Sequence, residues 1–428
     1  MTSDPKIQIL GTVFFAIAVL HTFLTKPILH FSRRFPEGSG GEALFHFFAE
    51  IEVIFGLWAA LFFALCLPMA GPQVVVEYIE GLSFAEPIFV FVIMLIASTK
   101  PVMWVAQELI VFIARIVHRV FRLHELLAEV LVILLLGPLC GSLMTEPAAM
   151  TVSALLIFSL FEKPNAKLMY PLLAVLFVNI SIGGALTNFA APPILMVAGP
   201  WNWDTSFVFG HFGWKSLLAV TVNAVGFVLI FQKELRRDGL SLRLSLAHER
   251  LPLWVILLQF LFLILAVICS HHVQVLFAIF LFFLGITTVT KRYQSPLRMR
   301  ESLLVAFFLG GVIAFGAFQK WWLQPLLGSL NDLALYYGSV LLTSVTDNAA
   351  LTYLGTQVAN ISESAKYNLV AGAIAGGGLT IIANAPNPAG YSILQSKFPD
   401  GLNPIRLFLV AIPPTVVAVL FLEFLPNL

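Results

Sequence analysis

The sequence is poor in charged residues. Only 11% of its 428 residues are Asp, Glu, Lys or Arg, whereas soluble domains carry about 25%. So few charges cannot cover the surface of a water-soluble protein of this length, which excludes a secreted or ordinary cytosolic protein. The net charge is +1, which gives no attraction for a polyanion and excludes nucleic-acid binding. The composition, 59% of it hydrophobic, indicates a protein whose solvent is the lipid bilayer.

The sequence also has little cysteine. Its three cysteines, Cys66, Cys140 and Cys269, lie far apart in or beside apolar runs, without the close spacing of metal ligands. We expect all three to be buried side chains. The sequence contains no phosphate-binding loop, serine-hydrolase motif or paired zinc histidines. It therefore predicts neither an enzyme nor a cofactor.

Long apolar runs dominate the rest of the chain. A helix crosses the hydrocarbon core of a bilayer in about 20 residues. By this length the sequence predicts nine simple crossings. They lie at 7–25, 44–67, 83–98, 101–120, 214–232, 252–269, 273–290, 301–319 and 404–426.

Four further apolar segments are interrupted. Segments 123–161 and 331–360 are split by short polar stretches, and segments 167–200 and 366–397 by runs rich in Gly, Asn and Pro. Irregular backbone inside a membrane is tolerated where it lines a cavity within the protein, so these segments predict one protected polar centre. We interpret the first pair as re-entrant hairpins and the second pair as broken helices that still cross. The predicted fold is an all-α polytopic membrane protein of about eleven transmembrane helices plus two re-entrant hairpins.

The charges of the loops predict the orientation of the chain. Basic residues are concentrated in 233–250 and 291–300, which we place in the cytoplasm. The N-terminus is then inside and the C-terminus outside. The loop at 26–43, with three basic residues, would face outward and does not follow the rule.

The two interrupted halves carry related motifs. Residues 145–151 read TEPAAMT and residues 346–352 read TDNAALT, with four identical positions. The breaks that follow read GGALT at 183–187 and GGGLT at 376–380. Chance similarity between apolar helices would fall on Leu, Val and Ala, whereas these matches include Thr, acidic residues and Gly. The motifs therefore predict an internal duplication.

The number of crossings between the two hairpins predicts how the halves are related. Five crossings separate them if residues 321–327, which begin with two Trp, lie in the membrane interface. An odd number places the second hairpin on the opposite side, so the halves form two inverted repeats with a binding site near the midplane. The predicted units are an N-terminal transmembrane helix and loop at 1–43, a first repeat at 44–232 and a second repeat at 252–428.

Each motif places one acid in mid-membrane. An ionised Glu146 or Asp347 would cost about 2.5–3.5 kcal/mol at a helix centre unless it is paired or hydrated. Neither hairpin tip contains Lys or Arg, and removal from water favours the protonated carboxyl. A carboxylate poised between a proton and a metal cation is what cation/proton exchange requires. The alternative is that each acid only caps the second half-helix, because both tip sequences suit a helix start.

The breaks supply further candidate ligands. Glycine lets the chain leave helical geometry, and the freed carbonyls join Thr and Asn oxygens as hard ligands that suit sodium. The N-termini of half-helices would instead suit an anion, and small residues also allow close helix packing. The predicted backbone breaks are Gly183, Gly184, Gly376, Gly377 and Gly378. The predicted sodium-binding and proton-coupling residues are Thr145, Glu146, Thr187, Asn188, Thr346, Asp347, Asn348, Thr380, Asn384 and Asn387.

Three other acids, Glu50, Glu52 and Glu108, also fall within apolar segments. Glu50 and Glu52 are two residues apart and cannot share a helix face. The sequence leaves open whether these acids form a proton relay or have only local roles.

At these motifs the sequence resembles the ion transporter superfamily, and within it the bacterial sodium/proton antiporters. The resemblance covers residues 44–426 and rests on the two tip motifs with GGALTNFAAPP at 183–193 and GGGLTIIANAPNP at 376–388. It implies a multi-pass protein of the bacterial inner membrane, in which each repeat has a scaffold part, a re-entrant hairpin and a broken helix. It also implies a homodimer that moves its substrate by an elevator motion.

The tips depart from one branch of that superfamily. Members that carry dicarboxylates have Ser-Asn-Thr there, whereas this chain has Thr-Glu-Pro at 145–147 and Thr-Asp-Asn at 346–348. The departure favours cations over carboxylates as substrates. The sequence thus predicts a secondary transporter in the lipid bilayer that exchanges sodium for protons at midplane carboxylates. The alternative is sodium-coupled transport of a small anion such as a carboxylate.

Overall fold

The computed structural model describes residues 1–161, 166–237, 251–398 and 401–428. Residues 162–165, after the first predicted hairpin, and residues 238–250 of the basic loop lie outside this description. Every regular element in the described ranges is a helix. In chain order the α-helices are α1 (Pro5–Ser32), α2 (Gly40–Phe48), α3 (Ile51–Ala70), α4 (Pro72–Glu80), α5 (Ala85–Ala97), α6 (Lys100–Phe121), α7 (Glu125–Met144), α8 (Glu146–Leu160), α9 (Ala166–Gly183), α10 (Pro192–Trp201), α11 (Thr205–Val208), α12 (Trp214–Ile230), α13 (Gln232–Arg237), α14 (Leu253–Ile268), α15 (Val273–Val289), α16 (Met299–Ser329), α17 (Asp332–Thr343), α18 (Asn348–Thr356), α19 (Glu363–Gly376), α20 (Pro386–Leu394) and α21 (Pro404–Phe424).

Many of these helices have the length and composition of membrane spans. The described ranges contain eight such segments, or nine if α4 and α5, which are bent by 59° relative to each other, form one span. α14 and α15 are apolar but have only 16 and 17 residues, at the short limit of a crossing. The predicted all-α polytopic fold is confirmed. The eight segments are Pro5–Thr25, Ile51–Ala70, Lys100–Phe121, Glu125–Met144, Lys167–Leu186, Thr205–Ile230, Met299–Ser329 and Pro404–Phe424.

The region around the first two predicted crossings differs from expectation. The crossing predicted at 44–67 is interrupted, because α2 and α3 are separated by Ala49 and Glu50. Glu50 adopts extended backbone as the N-cap of α3, which places its negative charge at the positive end of the helix dipole. The loop predicted at 26–43 is partly helical, since α1 continues to Ser32.

The helix predicted at 301–319 is longer than expected. It continues to Ser329, so residues 321–327 belong to the same continuous helix and form no separate crossing. Trp321 lies against α1, where its indole N–H donates to Thr12 Oγ1 at 3.0 Å. The added length of α16 is therefore fixed against a neighbouring helix.

Helices α1, α3 and α16 pack together, and α5 packs on α16. The ring of Phe62 on α3 lies 5.7 Å from that of Phe315 and 5.0 Å from that of Phe318, both on α16. The two helices approach so closely that a Cβ on Gly311 would overlap the backbone of Phe55 and Gly56. We call α1, α3 and α16 the scaffold helices.

A second group of helices surrounds α9, which contacts α7, α8, α12, α19 and α21. The span Lys167–Leu186, which includes most of α9, is almost entirely buried inside the protein. The helices of the two halves are interleaved, because α8 packs on α20 and α18 packs on α10. This interleaving brings Glu146 at the first tip to Asn384 in the break of the second half.

Candidate ion-binding site

Two short connections form the tips of the predicted hairpins. Thr145 joins α7 to α8 with φ of 73°, a left-handed conformation that is unusual for a β-branched residue. The Thr145 side chain is buried, and its Oγ1 has no hydrogen-bond partner among the described residues. Such local strain persists where the surrounding packing imposes it, and it is concentrated at functional sites. The first tip therefore holds Glu146 at a tightly constrained helix start.

Glu146 lies between the breaks of the two halves. Its side chain is fully buried, and its Oε2 accepts a hydrogen bond of 2.7 Å from Asn384 Nδ2. A Cβ on Gly184 would lie 2.6 Å from Glu146 Oε1, so the carboxylate occupies space that the glycine leaves. That Oε1 has no hydrogen-bond partner within the described chain. None of the ion pairs between described residues includes Glu146.

Asp347 has a different environment. It is the N-cap of α18, where its Oδ1 accepts from the backbone N–H groups of Ala349 at 2.9 Å and Ala350 at 3.1 Å. The side chain is half-buried and lines a largely apolar cavity of about 190 Å³ together with Thr346. Capping thus describes Asp347, whereas Glu146 makes no capping hydrogen bond to α8.

The buried polar residue at the second tip is Asn348. Neither side-chain polar atom of Asn348 has a partner among the residues that the structure covers, and its backbone N–H donates to the carbonyl of Ala383 at 3.1 Å. A Cβ on Gly377 would lie 2.8 Å from Asn348 Nδ2. Asn348 therefore faces Gly377 much as Glu146 faces Gly184.

The two breaks are fastened to the two tips in the same way. Thr187 Oγ1 donates to the carbonyl of Ser142 at 2.7 Å, and Thr380 Oγ1 donates to the carbonyl of Ser344 at 2.8 Å. The Ser142 hydroxyl also donates to the carbonyl of Gly183 at 2.7 Å. These predicted ligands hold the irregular backbone in position, and their hydroxyl oxygens keep the ability to accept.

Asn387 and three of the glycines contribute mainly to the shape of the breaks. Asn387 Nδ2 donates at 2.8 Å to the carbonyls of Gly377 and Thr380, while its buried Oδ1 has no partner in the described part. A Cβ on Gly183 or Gly376 would press on a backbone carbonyl of α7 or α17, and one on Gly378 would overlap the α9 backbone at Val178. Close helix packing therefore accounts for these three glycines.

Two predicted ligands have other partners. Asn188 donates to the Trp203 carbonyl at 2.9 Å, accepts from Thr205 at 2.7 Å, and lines a cavity of about 220 Å³ with Glu86 and His271. Thr346 donates to the carbonyl of Leu342 in the last turn of α17, 2.8 Å away. Asn188 thus belongs to a cavity whose lining includes neither tip.

Two residues near the site were not among the predicted ligands. Ser181 on α9 donates to the Ile374 carbonyl of α19 at 2.7 Å and so ties the two broken helices together. The sequence feature that could have identified Ser181 is its position two residues before the glycine pair at 183–184. Glu52 on scaffold helix α3 lines a cavity of about 30 Å³ with Asp347 and Asn384.

The comparisons with known proteins bear on the whole chain. A protein-family model described as "Putative Na+/H+ antiporter" matches residues 6–425, and no curated protein matches the sequence. The match extends over nearly all of the helices that form and surround the two tips. The chain, an integral multi-pass membrane protein, therefore belongs to this family of Na+/H+ antiporters.

Proposed function

We propose that this protein exchanges sodium for protons across the bacterial inner membrane, with the two ions competing for Glu146. The observation that carries the proposal is the environment of the Glu146 carboxylate. It is fully buried, one oxygen lacks a hydrogen-bond partner, and no basic side chain forms an ion pair with it in the described ranges. A buried carboxylate without a fixed counter-charge is stabilised by binding either a proton or a cation.

Several buried oxygens at the two tips and at the second break are candidates to hold a sodium ion. Glu146 Oε1, Asn384 Oδ1, Asn348 Oδ1 and Thr145 Oγ1 are all buried without a partner in the described part of the chain. An unsatisfied buried polar atom costs about 1–3 kcal/mol, a cost that cation binding would remove. Carbonyl, hydroxyl and carboxylate oxygens are the hard ligands that small cations prefer.

Competition at one carboxylate couples the two ions. When Glu146 is protonated its negative charge is lost, so the oxygen cluster holds sodium weakly. When sodium is bound, the proton is displaced from the same oxygens. A site that carries either ion, but not both, to the other side of the membrane exchanges one for the other. This coupling needs no organic anion.

We also propose that the two halves are inverted repeats with re-entrant tips and that the protein is a homodimer. The interleaved packing of α8 with α20 and of α18 with α10 supports two structurally equivalent halves. We expect a reporter fused after Arg237 to be cytoplasmic and one fused at Leu428 to be external. Both reporters on the same side of the membrane would contradict the inverted arrangement.

Flux in liposomes tests the exchange. Purified protein is reconstituted in vesicles that are acidic inside and contain a pH-sensitive dye. Addition of sodium outside should dissipate the gradient, whereas choline should not, and protein-free vesicles should respond to neither. A response that appears only when a dicarboxylate is supplied would overturn the proposal and support the sodium-coupled anion transporter instead.

A further inference from the structure

Glu52 lies near the ion-binding site, but it has no role among the proposed sodium ligands. It lies in the first turn of scaffold helix α3, where it is half-buried. Its neighbour Glu50 forms an ion pair with Arg300, whereas none of the ion pairs among described residues includes Glu52. The two acids therefore differ in surroundings although they are two residues apart.

On one side, Glu52 faces the ion-binding site. The cavity of about 30 Å³ that it lines is shared with Asp347 and with Asn384, the donor to Glu146. A cavity needs about 10–15 Å³ for one water molecule, so this space is large enough to hold one. Its lining is mostly apolar, and its polar residues are Glu52, Asp347 and Asn384.

On the other side, Glu52 lines a larger and more polar cavity. This space of about 260 Å³ is bordered by Thr151, Arg298 and Glu301, and it has room for several waters. Arg298 belongs to the basic segment 291–300 that is predicted to be cytoplasmic, and Glu301 follows it in the first turn of α16. Glu52 is the one acidic residue that lines both cavities.

The charged groups around Glu52 come from three directions. Glu50 lies at the start of the same helix, and its partner Arg300 lies in the first turn of α16. Arg298 and Glu301 border the larger cavity, and Asp347 borders the smaller one. Acids and bases thus surround Glu52 without a fixed ion pair to it in the described chain. Because Glu52 lines both cavities, its carboxyl group is placed to exchange a proton with water on either side.

We propose that Glu52 is a relay that passes protons between the larger cavity and the ion-binding site, an inference that rests on the proposed exchange. In one direction the O–H bond of protonated Glu52 breaks, and its proton passes through a water molecule in the smaller cavity to the ion-binding site, where the Glu146 carboxylate takes it up as sodium leaves. Glu52 is left as a carboxylate and takes a new proton from a hydronium ion in the larger cavity, which becomes water. No bound sodium needs to contact Glu52 in either step.

The test compares Glu52→Gln with Glu50→Gln in the liposome assay. We expect Glu52→Gln to slow sodium-dependent proton flux by about 100-fold, which is typical of losing a positioned proton-transfer group. The sodium concentration for half-maximal thermal stabilisation of the detergent-solubilised protein should stay within about twofold of the wild type. Glu50→Gln makes the same change two residues away, outside both cavities, and should keep most of the flux.

Two further readouts separate a relay from a structural role. Glu52→Asp keeps a titratable group, so it should recover much of the flux that Glu52→Gln loses. In the wild type the flux should depend on the pH on the side of the larger cavity, and Glu52→Gln should flatten that dependence. A merely structural role would lower the melting temperature and leave the shape of the pH profile unchanged.

The outcomes distinguish this inference from the function on which it rests. Wild-type flux in Glu52→Gln, in a preparation where wild-type protein exchanges sodium for protons, would overturn the relay alone. Equal loss in Glu52→Gln and Glu50→Gln would also overturn it. Absence of exchange in the wild-type protein would overturn the proposed function and the relay with it.

Discussion

The tips of the two predicted hairpins have related sequences but different environments. At the first tip Glu146 is fully buried against Gly184 and Asn384 and makes no capping hydrogen bond. At the second tip Asp347 caps α18 and is half-buried beside two cavities. The comparison teaches that two related motifs place a fully buried acid at one tip and a helix-capping acid at the other.

The packing of the helices on either side of each tip accounts for this difference. In the first half α7 runs alongside α8, whereas in the second half α17 packs mainly on α19 and touches α18 only slightly. The second tip therefore faces the scaffold: residues from α1, α3 and α16 line the cavity beside Asp347. The first tip is closed by α9 and by the break before α20. In the proposed exchange the first tip therefore holds the ion, and the second tip lies on the side of Glu52 and its proton route.

The largest effect is expected from Glu146→Gln. The amide keeps the size of the side chain and one acceptor oxygen, but it removes the charge and the titratable proton together. Sodium-dependent proton flux should be lost completely, and the melting temperature should stay equal or rise, because a buried uncompensated charge is costly. The matched control is Glu129→Gln, another buried acid of the first half with an unpartnered oxygen in the described chain. Flux at the wild-type rate in Glu146→Gln would show that the ion-binding site does not include this tip.

Asp347 allows the two roles at the second tip to be separated. Asp347→Asn keeps an N-cap oxygen, so we expect normal stability with lost proton flux. Asp347→Ala should lose the flux as well and also destabilise the protein by about 1 kcal/mol, because the capping bonds disappear. Flux and melting temperature are measured for both variants. If Asp347→Asn transports normally, capping is the whole function of this acid and the tips differ more than proposed.

A smaller effect is expected from Gly184→Ala. The added methyl group would meet Glu146 Oε1 at 2.6 Å and displace the carboxylate. Misplacement of a reacting group by about 1 Å commonly costs about 100-fold in rate, so flux should fall without being abolished. Gly226→Ala is the control, because a Cβ there meets nothing within 4 Å and alanine favours the helix. Equal flux in both variants would show that the Glu146 pocket tolerates the displacement.

The membrane spans and the helix breaks could be predicted from the sequence, because both depend on residues that are close together in the chain. Helix formation in lipid depends on runs of contiguous apolar residues, so the spans and the all-α class follow from local composition. Glycine pairs mark where a helix breaks, and the breaks at 183–187 and 376–380 lie where the motifs predict them. The boundaries of the helices could not be predicted in the same way: the interruption at Glu50 and the extension of α16 to Ser329 depend on how α1, α3 and α16 pack.

The sequence by itself determined a polytopic helical membrane protein with two broken segments and one acid at each tip, since these are properties of neighbouring residues. Only the tertiary structure decided what surrounds each acid. The partner of Glu146 is Asn384, 238 residues away, and the cavity beside Asp347 includes Glu52 from a helix near the N-terminus. Asn188 lies in the same sequence motif as other predicted ligands, yet it lines a cavity that neither tip borders. Such surroundings arise when helices distant in the chain pack together, and no local pattern records which side chains then meet.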